Sequence, residues 1–193
     1  MAIQEIFSVP IYKIQLDLNV KELQSFCYQH NDSKGRVVSN VGGYQSNFLN
    51  LNDVALQPLI EAIEIHSSEF AETFINEGNQ VLSNMWFNIN LYKDSNVFHR
   101  HGGANISGVY YVKTPNGCGN IIFEHPATDL FDYYFLNSKR EMNAYNSSTW
   151  WMPAEVNMLY LFPGWLKHSV EANKNKTEER ISIGFNTFYA PVI

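Results

Sequence analysis

The spacing of apolar residues changes about two fifths of the way along the chain. Before that point, residues 20–29 and 57–77 carry apolar side chains at helical spacing, and each stretch predicts an amphipathic helix. Gly78 is suited to the end of the second helix, because glycine readily adopts the left-handed conformation that often follows a helix. Residues 5–18 alternate in part and predict a strand that Pro10 interrupts.

In the rest of the chain, apolar and polar residues alternate with a period of two, which is typical of strands. Short strands at this density, separated by Gly, Pro and Asn turns, predict a sandwich or jelly roll. The fold class is therefore mainly β, with N-terminal helices packed against one outer face of a sheet. We expect one domain over 1–193, in which 1–80 supports a strand-rich core formed by 81–193. The predicted strands are 82–92, 96–101, 106–113, 119–124, 131–136, 145–151, 156–162, 165–171 and 180–189.

Composition and charge narrow the class of protein. Of the 193 residues, 45% are apolar and 17% are charged, as in a globular chain with a sizeable core. The aromatic fraction of 15% favours a β-rich architecture with a lined cavity. The net charge of −6 argues against broad contact with a phosphate backbone, so we expect no duplex nucleic acid as a partner.

Cysteine usage and the N-terminal residues bear on the location of the protein. Cys27 and Cys118 lie far apart and have no metal-ligand spacing, which favours free thiols in a reducing compartment. The first residues lack a basic region followed by an apolar run, and no apolar stretch is long enough to cross a bilayer. We therefore expect a cytoplasmic protein without a membrane partner.

Histidines in the strand-rich part carry the first chemical signal. His99 and His101 are two residues apart, so on an extended strand they point to the same side and one metal ion can take both. His168 follows a Pro-Gly turn later in the chain. Arg180 comes twelve residues after His168 and shares a strand face with Ser182, so both can bind one carboxylate. Taken singly, each has a structural alternative: packing for the histidines, and ion pairs with neighbouring glutamates for the arginine.

The order of these groups resembles that of the Fe(II)- and 2-oxoglutarate-dependent oxygenases. The likeness covers roughly residues 84–188 and is to a little-characterised branch of the superfamily that also occurs in phage genomes. Four stretches in the same order carry it, and together they are specific where any one would not be. The stretches are FHRHG at 98–102, SGVYYV at 107–112, LFPGWLKH at 161–168 and RISIGFN at 180–186.

The resemblance implies a double-stranded β-helix, cupin-like in form, that holds one Fe(II) at its mouth. The positions of the metal ligands in the superfamily match His99, His101 and His168. The usual second ligand is acidic, which gives two histidines and one carboxylate. Here that position is His101, and two ligand sets stay open: three neutral histidines, which we favour, or a set in which Glu124 supplies the carboxylate. Glu124 lies on a later predicted strand, without the two-residue geometry.

The resemblance also implies 2-oxoglutarate as co-substrate. Arg180 matches the superfamily position that anchors the distal carboxylate of 2-oxoglutarate, with Ser182 assisting. Tyr111 matches a strand position that often hydrogen-bonds the same carboxylate, and Tyr92 matches a tyrosine that contacts the co-substrate in several relatives. Core packing is the alternative for both tyrosines. The implied reaction is a hydroxylase-type oxidation, coupled to decarboxylation of 2-oxoglutarate to succinate.

Two other classes of function stay open. A metal-binding cupin that is not an oxygenase would keep the three histidines but would not need Arg180 or Ser182. A non-catalytic jelly-roll interaction protein would show an exposed aromatic patch and no turnover. The aromatic segment 130–152 is either a pair of sheet strands or a substrate lid. The primary substrate is expected to be a small molecule or a peptide, and a homodimer is compatible with the family.

Overall fold

Strands dominate the computed structural model, which describes residues 5–32, 34–74, 79–130 and 141–190. In chain order, the elements are β1 (Tyr12–Gln15), α1 (Val20–Gln29), β2 (Asn40–Val41), β3 (Tyr44–Gln45), a short 3-10 helix (Val54–Leu56), α2 (Gln57–Ala71), β4 (Asn79–Asn90), β5 (Ser95–His99), β6 (Ile106–Lys113), β7 (Ile121–Glu124), β8 (Thr149–Met152), β9 (Met158–Pro163), β10 (His168–Val170) and β11 (Arg180–Ala190).

Two antiparallel sheets face each other. Within the described residues, the larger sheet has six strands in the order β1-β9-β6-β11-β4-β3, and the smaller has five in the order β2-β5-β10-β7-β8. Most neighbouring strands are distant in sequence, because the chain crosses repeatedly between the sheets, as in a jelly roll. The predicted fold class, mainly β with N-terminal helices, is confirmed. The predicted strands after residue 80 correspond to β4–β11, with ends shifted by a few residues, except for one discussed below.

Alternation along β4 and β11 gives the larger sheet an apolar face and a polar face. From Met85 to Ile89 on β4 and from Ile181 to Phe185 on β11, the odd-numbered residues are buried in the main hydrophobic core together with residues of α1 and α2. Each large apolar side chain buried in this way contributes roughly 1.5–3 kcal/mol. From Trp86 to Asn90 and from Arg180 to Asn186, the even-numbered residues point toward the smaller sheet, and most of them are polar. The core residues are Met85, Phe87, Ile89, Ile181, Ile183 and Phe185, and the polar residues on the other face are Asn88, Asn90, Arg180, Ser182 and Asn186.

The two helices begin where the sequence predicts, but the second ends earlier. α1 covers the predicted stretch, and the Asn19 side chain caps its N-terminus. α2 ends at Ala71, because its last turn tightens into i→i+3 hydrogen bonds and the Thr73 hydroxyl donates to the carbonyl of Phe70. The carbonyls at this end are therefore satisfied without further helix. Gly78, the predicted end, lies outside the described residues.

Three further predictions differ from the structure or fall outside it. The N-terminal strand is reduced to Tyr12–Gln15, since Pro10 has no N–H to donate to a neighbouring strand. Residues 31–52, whose glycines predict turns rather than strands, contain β2 and β3, joined at Gly42 and Gly43, whose φ angles are +68° and +65°. These glycines carry the chain from the smaller sheet, which includes β2, to the larger sheet, which includes β3. The predicted strand 131–136 lies outside the described residues.

Candidate active site

Three histidines meet at the facing ends of β5 and β10. His99, the last residue of β5, lies opposite His168, the first residue of β10. His101 follows two residues after His99, and its backbone N–H donates to the carbonyl of Gly164 at 3.0 Å. The three ring centroids are 4.4, 5.0 and 5.2 Å apart, and one candidate ligand nitrogen from each ring lies within 4.8 Å of the others. The cluster could therefore hold a metal ion.

Backbone carbonyls orient two of the rings. The Nδ1 atom of His99 lies 2.8 Å from the carbonyl oxygen of Val97, and the Nδ1 atom of His168 lies 2.9 Å from that of Leu166. Because a carbonyl oxygen only accepts hydrogen bonds, Nδ1 carries the proton in both rings. Nε2 is then the nitrogen with a free lone pair, as a metal ligand requires.

Side chains of the larger sheet orient the third ring. Nδ1 of His101 lies 2.6 Å from Oδ1 of Asn186 and 2.8 Å from the hydroxyl of Ser107. Nδ2 of Asn186 donates to Oδ1 of Asn84 at 2.9 Å, which directs the amide oxygen of Asn186 toward His101. His101 therefore also carries its proton on Nδ1 and presents Nε2 to the cluster.

The three imidazoles are held in the neutral form. Burial lowers the pKa of His168 to about 3 and that of His101 to about 4, and repulsion between the neighbouring rings adds to both effects. Burial also lowers the pKa of His99. Neutral imidazoles with free Nε2 lone pairs suit divalent transition metals such as iron, nickel or zinc.

The structure places Glu124 outside this cluster. Phe123 packs against the ring of His168, with centroids 6.3 Å apart, so the next residue along β7 points to the opposite face. There the carboxylate of Glu124 accepts a hydrogen bond from Nζ of Lys167 at 2.6 Å. Among the described residues, the group of potential metal ligands at this position consists of the three histidines alone.

The histidines open into a cavity of about 460 Å³ between the two sheets. Its wall includes Ser182 from β11 and Tyr111 from β6, which lie opposite each other in the strand pair. Trp86 and Asn88 contribute from β4, and Phe48 from the loop after β3. A volume of this size is in the range of sites that bind small molecules.

Arg180 is fully buried at the start of β11. Its Nη1 donates to the carbonyls of Cys118 and Glu171, the second at 3.1 Å. Its Nε and Nη2 atoms have no hydrogen-bond partner among the described residues. Burial lowers the pKa of this guanidinium, but arginine stays charged in proteins. A buried cation with two unused donors is costly, and a bound carboxylate would satisfy it.

Other unsatisfied polar groups lie around Arg180. The buried hydroxyl of Tyr111 has no hydrogen-bond partner among the described residues, and burial raises the pKa of this tyrosine above its usual range. The hydroxyl therefore stays protonated and can donate a hydrogen bond. Asn90, opposite Arg180 in the β4–β11 pair, also has both amide atoms unsatisfied within the described part of the chain. The structure thus brings Arg180 close to Tyr111, and Tyr111 and Ser182 line the same cavity as the histidines.

Tyr92 lies neither in the wall of the cavity nor, unlike buried Arg180, next to a residue of that wall such as Tyr111. β4 ends at Asn90, and the chain turns immediately afterwards, with Lys93 at a φ of +74°. The ring of Tyr92 lies 42% exposed in this turn, within 5.3 Å of Nζ of Lys93 and 6.0 Å of Nζ of Lys176. Its position does not support the expected contact with a co-substrate.

Sequence reasoning missed the side chains that support His101. Asn186 and Ser107 both lie in stretches that carried the family resemblance, but neither was given a role. Asn186 is in phase with Arg180 and Ser182 on β11, so alternation alone could have placed it on the same face. The pairing of Asn186 with Ser107 in the β11–β6 register could not have been obtained from local spacing.

The donor set fits the two groups that such a fold would bind: three neutral imidazoles for a metal, and a buried arginine with a protonated tyrosine for a carboxylate. A jelly roll with a metal site beside a buried arginine for a carboxylate is typical of the Fe(II)- and 2-oxoglutarate-dependent oxygenases, although His101 stands where their usual acidic ligand would be. The model of the family described as "Putative 2OG-Fe(II) oxygenase" matches residues 84–186, more than half of the chain. The chain therefore belongs to this family of enzymes, whose cofactors are Fe(II) and 2-oxoglutarate.

Similar solved structures include a prolyl-4-hydroxylase from Pseudomonas putida, with a TM-score of 0.66, 11% identity and 95% coverage of both chains. The collagen prolyl hydroxylase of Paramecium bursaria Chlorella virus-1, solved with 2-oxoglutarate, gives a TM-score of 0.58 and 11% identity over 93% of this chain and 96% of the viral one. HygX from Streptomyces hygroscopicus, with nickel and 2-oxoglutarate bound, gives 0.60 and 9% over 94% of this chain and 84% of that one. These likenesses establish the double-stranded β-helix fold.

Two further findings do not change the assignment to this family. No curated protein matches the chain in sequence. Within the described residues, no helix is both long and apolar enough to span a membrane.

Proposed function

We propose that the chain is a dioxygenase that uses Fe(II), 2-oxoglutarate and oxygen to oxidise a primary substrate. In the overall reaction, one oxygen atom enters the substrate as a hydroxyl group and the other enters succinate, while 2-oxoglutarate loses carbon dioxide. His99, His101 and His168 would hold the iron, which supplies the activation of oxygen. The other residues of the cavity bind, orient and shield the reactants.

The main observation that supports this proposal is the buried guanidinium of Arg180, which has hydrogen-bond donors without partners among the described residues. Its two unused donors are buried, and its neighbour Tyr111 lines the cavity into which the three histidines open. Two parallel N–H donors match the geometry of a carboxylate, and Tyr111 can donate a third hydrogen bond. Ser182 lies on the same strand face and can complete the contact. A cupin that binds metal alone would have no use for a buried, half-satisfied guanidinium at this place.

Three neutral ligands would change the charge balance at the metal. A histidine at position 101, in place of the usual acidic ligand, leaves the full dipositive charge of the ion uncompensated by the protein. The dianionic co-substrate would then supply the compensating charge. Tight binding of 2-oxoglutarate would be favoured for this reason, and the low pKa values of His101 and His168 support a neutral ligand set near neutral pH.

The primary substrate would be a small molecule or a peptide that places one C–H bond beside the cluster. The cavity volume of about 460 Å³ favours a reacting part no larger than a small molecule. Prolyl hydroxylases share the fold, and so do enzymes that act on other substrates, such as the epimerase SnoN from nogalamycin biosynthesis.

The test follows metal, co-substrate and product in sequence. Metal-free protein is titrated with Fe(II) and then with 2-oxoglutarate without oxygen, and the visible absorption of the iron chelate is recorded. Oxygen is then added and succinate is measured. We expect one Fe(II) per chain, an absorption band on addition of 2-oxoglutarate, and slow succinate formation even without a primary substrate.

Matched variants separate the site from general effects. His99→Ala and His168→Ala should lose the metal and the band. His66→Ala removes a histidine from α2, where its ring contacts Tyr12 and Glu69, and should behave as the parent. Iron binding without any absorption change or succinate would contradict the dioxygenase and favour a cupin that is not an oxygenase.

A further inference from the structure

The wall of the active-site cavity has an unusual charge for this chain. The chain carries 19 acidic and 13 basic residues, with a net charge of −6. Yet the described residues that line the cavity include two arginines, Arg36 and Arg100, and no aspartate or glutamate. Because the charged residues in this wall are all positive, the cavity has a local potential that attracts anions even though the protein as a whole is acidic.

Arg36 is held in place at the cavity without a carboxylate partner. Its backbone N–H donates to the carbonyl of Gln45 at 2.7 Å, which ties the loop before β2 to β3. Its guanidinium lies 4.5 Å from the centroid of the Phe48 ring. It forms no ion pair with a described residue, so its donors are available to a ligand.

Arg100 stands between two histidines of the cluster in sequence and is exposed. It too forms no ion pair within the described part of the chain. Two lysines of the same molecule are paired, Lys167 with Glu124 at 2.6 Å and Lys113 with Glu179 at 3.0 Å. Neither cavity arginine has a counter-charge among the described residues, so each can take one from a bound anion.

Aromatic rings lie between these charges and the histidines. The ring of Phe48 is 56% exposed, although the backbone on both sides of it is bonded to β4. The ring of Trp86 lies 6.3 Å from that of Phe48 and 5.5 Å from that of His101. An exposed ring that is held rigidly offers a contact surface at little entropic cost. The surface leads from Arg36 to the candidate metal site.

The 2-oxoglutarate site at Arg180 does not explain the two arginines and the aromatic rings of the cavity wall, because Arg180 lies in a different part of the site. It is buried at the start of β11 and is assigned to 2-oxoglutarate, whereas Arg36 and Arg100 line the open cavity. A neutral ligand at position 101 also removes one negative charge beside the iron, relative to the usual carboxylate. A second anion could therefore approach the loaded site with less repulsion.

We propose that the primary substrate is a small molecule with an anionic group, a carboxylate or a phosphate, attached to an aromatic or flat apolar part. Arg36 and Arg100 bind the anionic group, and Phe48 and Trp86 contact the apolar part. This assignment rests on the proposed dioxygenase function, because it takes the histidine cluster as the reacting centre.

The experiment measures binding without turnover. Protein loaded with Zn(II) is first titrated with 2-oxoglutarate, which fills the Arg180 site, and then with three probes by calorimetry. The probes are phenylacetate, phenyl phosphate and the neutral phenylacetamide. We expect one or both anions to bind about tenfold more tightly than the amide, and the tighter anion identifies the natural group.

Variants assign the effect to the two arginines. Arg36→Ala and Arg100→Ala should each weaken binding of the anionic probes by about threefold to tenfold, and the double variant by more. Lys34→Ala removes the same charge two residues from Arg36, at an exposed position outside the cavity wall, and should change binding by less than about twofold.

The outcomes separate this inference from the proposed function. If the parent shows no heat with 2-oxoglutarate, the proposed function fails before the probes are added. If 2-oxoglutarate binds but phenylacetamide binds as tightly as phenylacetate, or the double arginine variant binds the anions as the parent does, the anionic substrate class is refuted. A double variant that loses 2-oxoglutarate as strongly as the probes would also refute it, because the arginines would then serve the co-substrate.

Discussion

Replacement of Arg180 by alanine tests the co-substrate site most directly. The side chain is fully buried, and its Nη1 donates to the carbonyls of Cys118 and Glu171. Its Nε and Nη2 remain for a ligand. The substitution therefore removes the proposed partner of the 2-oxoglutarate carboxylate and also leaves two interior carbonyls without this donor.

The substitution should affect both the affinity for 2-oxoglutarate and the free energy of unfolding. Loss of the charged partner of a buried carboxylate costs about 2–5 kcal/mol, so the dissociation constant of 2-oxoglutarate should rise by about thirtyfold or more. The free energy of unfolding should also fall, because a carbonyl without its donor costs about 1–3 kcal/mol. This second loss is offset in part, since the variant no longer buries a guanidinium with two unused donors.

Thermal unfolding of the Zn(II)-loaded protein, with and without 2-oxoglutarate, measures both effects. At a ligand concentration a hundred times the dissociation constant of the parent, binding stabilises the parent by about 2.7 kcal/mol. For a chain of this length, that raises Tm by about 5–10 °C. Arg180→Ala at the same concentration should gain about 3 °C or less. Arg180→Lys should lie between the two, because an ammonium keeps the charge but cannot form two parallel hydrogen bonds.

A core variant controls for lower stability alone. Ile63→Val on α2 is buried in the main core with the larger sheet and should lower the free energy of unfolding by about 0.5–1.5 kcal/mol. Its gain in Tm on addition of 2-oxoglutarate should equal that of the parent. An equal gain in Arg180→Ala would refute the role of Arg180, and no gain in the parent would refute the co-substrate site itself.

Three further predictions concern the metal site. His101→Ala should weaken metal binding by at least about a hundredfold, whereas Glu124→Gln should leave it nearly unchanged, and a metal titration showing the reverse order would make the carboxylate the ligand. Asn186→Ala should weaken metal binding by about tenfold or more, because the His101 ring loses an acceptor for Nδ1–H; unchanged affinity would exclude this positioning role. The metal-free protein should lose stability from pH 7 to pH 5. His101 and His168, with folded pKa values of about 4 and about 3, stay neutral there, while the unfolded chain takes up protons near pH 6.5. The unfolded state therefore binds more protons, and urea unfolding should show a loss of about 2 kcal/mol for each histidine; equal stability at both pH values would contradict the low pKa values.

Alternation of apolar and polar residues was enough to predict most of the strands, because a buried sheet face imposes a period of two on the sequence. The same rule placed His99 and His101 on one side of the chain, and Arg180 with Ser182. β2 and β3 escaped prediction because each has only two residues, and a period cannot be recognised over so short a stretch. Their place in two different sheets depends on the glycine turn between them.

The position of Tyr92 shows where alternation stops being informative. Tyr92 is in phase with Asn88 and Asn90, so a continuous strand would have directed it into the cavity. The strand ends at Asn90, because Asp94 accepts a hydrogen bond from the backbone N–H of Leu91 at 2.7 Å and closes a turn. An aspartate that bonds back to the chain in this way is a turn signal, and it competes with a strand period that continues past it.

The environment of His101 could not be predicted, because it is formed by residues far away in the sequence. A carboxylate ligand at this position would need hydrogen-bond donors around it, whereas an imidazole needs an acceptor for its Nδ1–H. Asn186, 85 residues further along the chain, supplies that acceptor, and its amide is held in the required orientation by Asn84 on the neighbouring strand. The replacement of the usual acidic ligand is therefore matched by a hydrogen-bonding pattern in the larger sheet that suits histidine. This match favours an imidazole ligand at position 101 on physical grounds that are independent of the spacing of the three histidines.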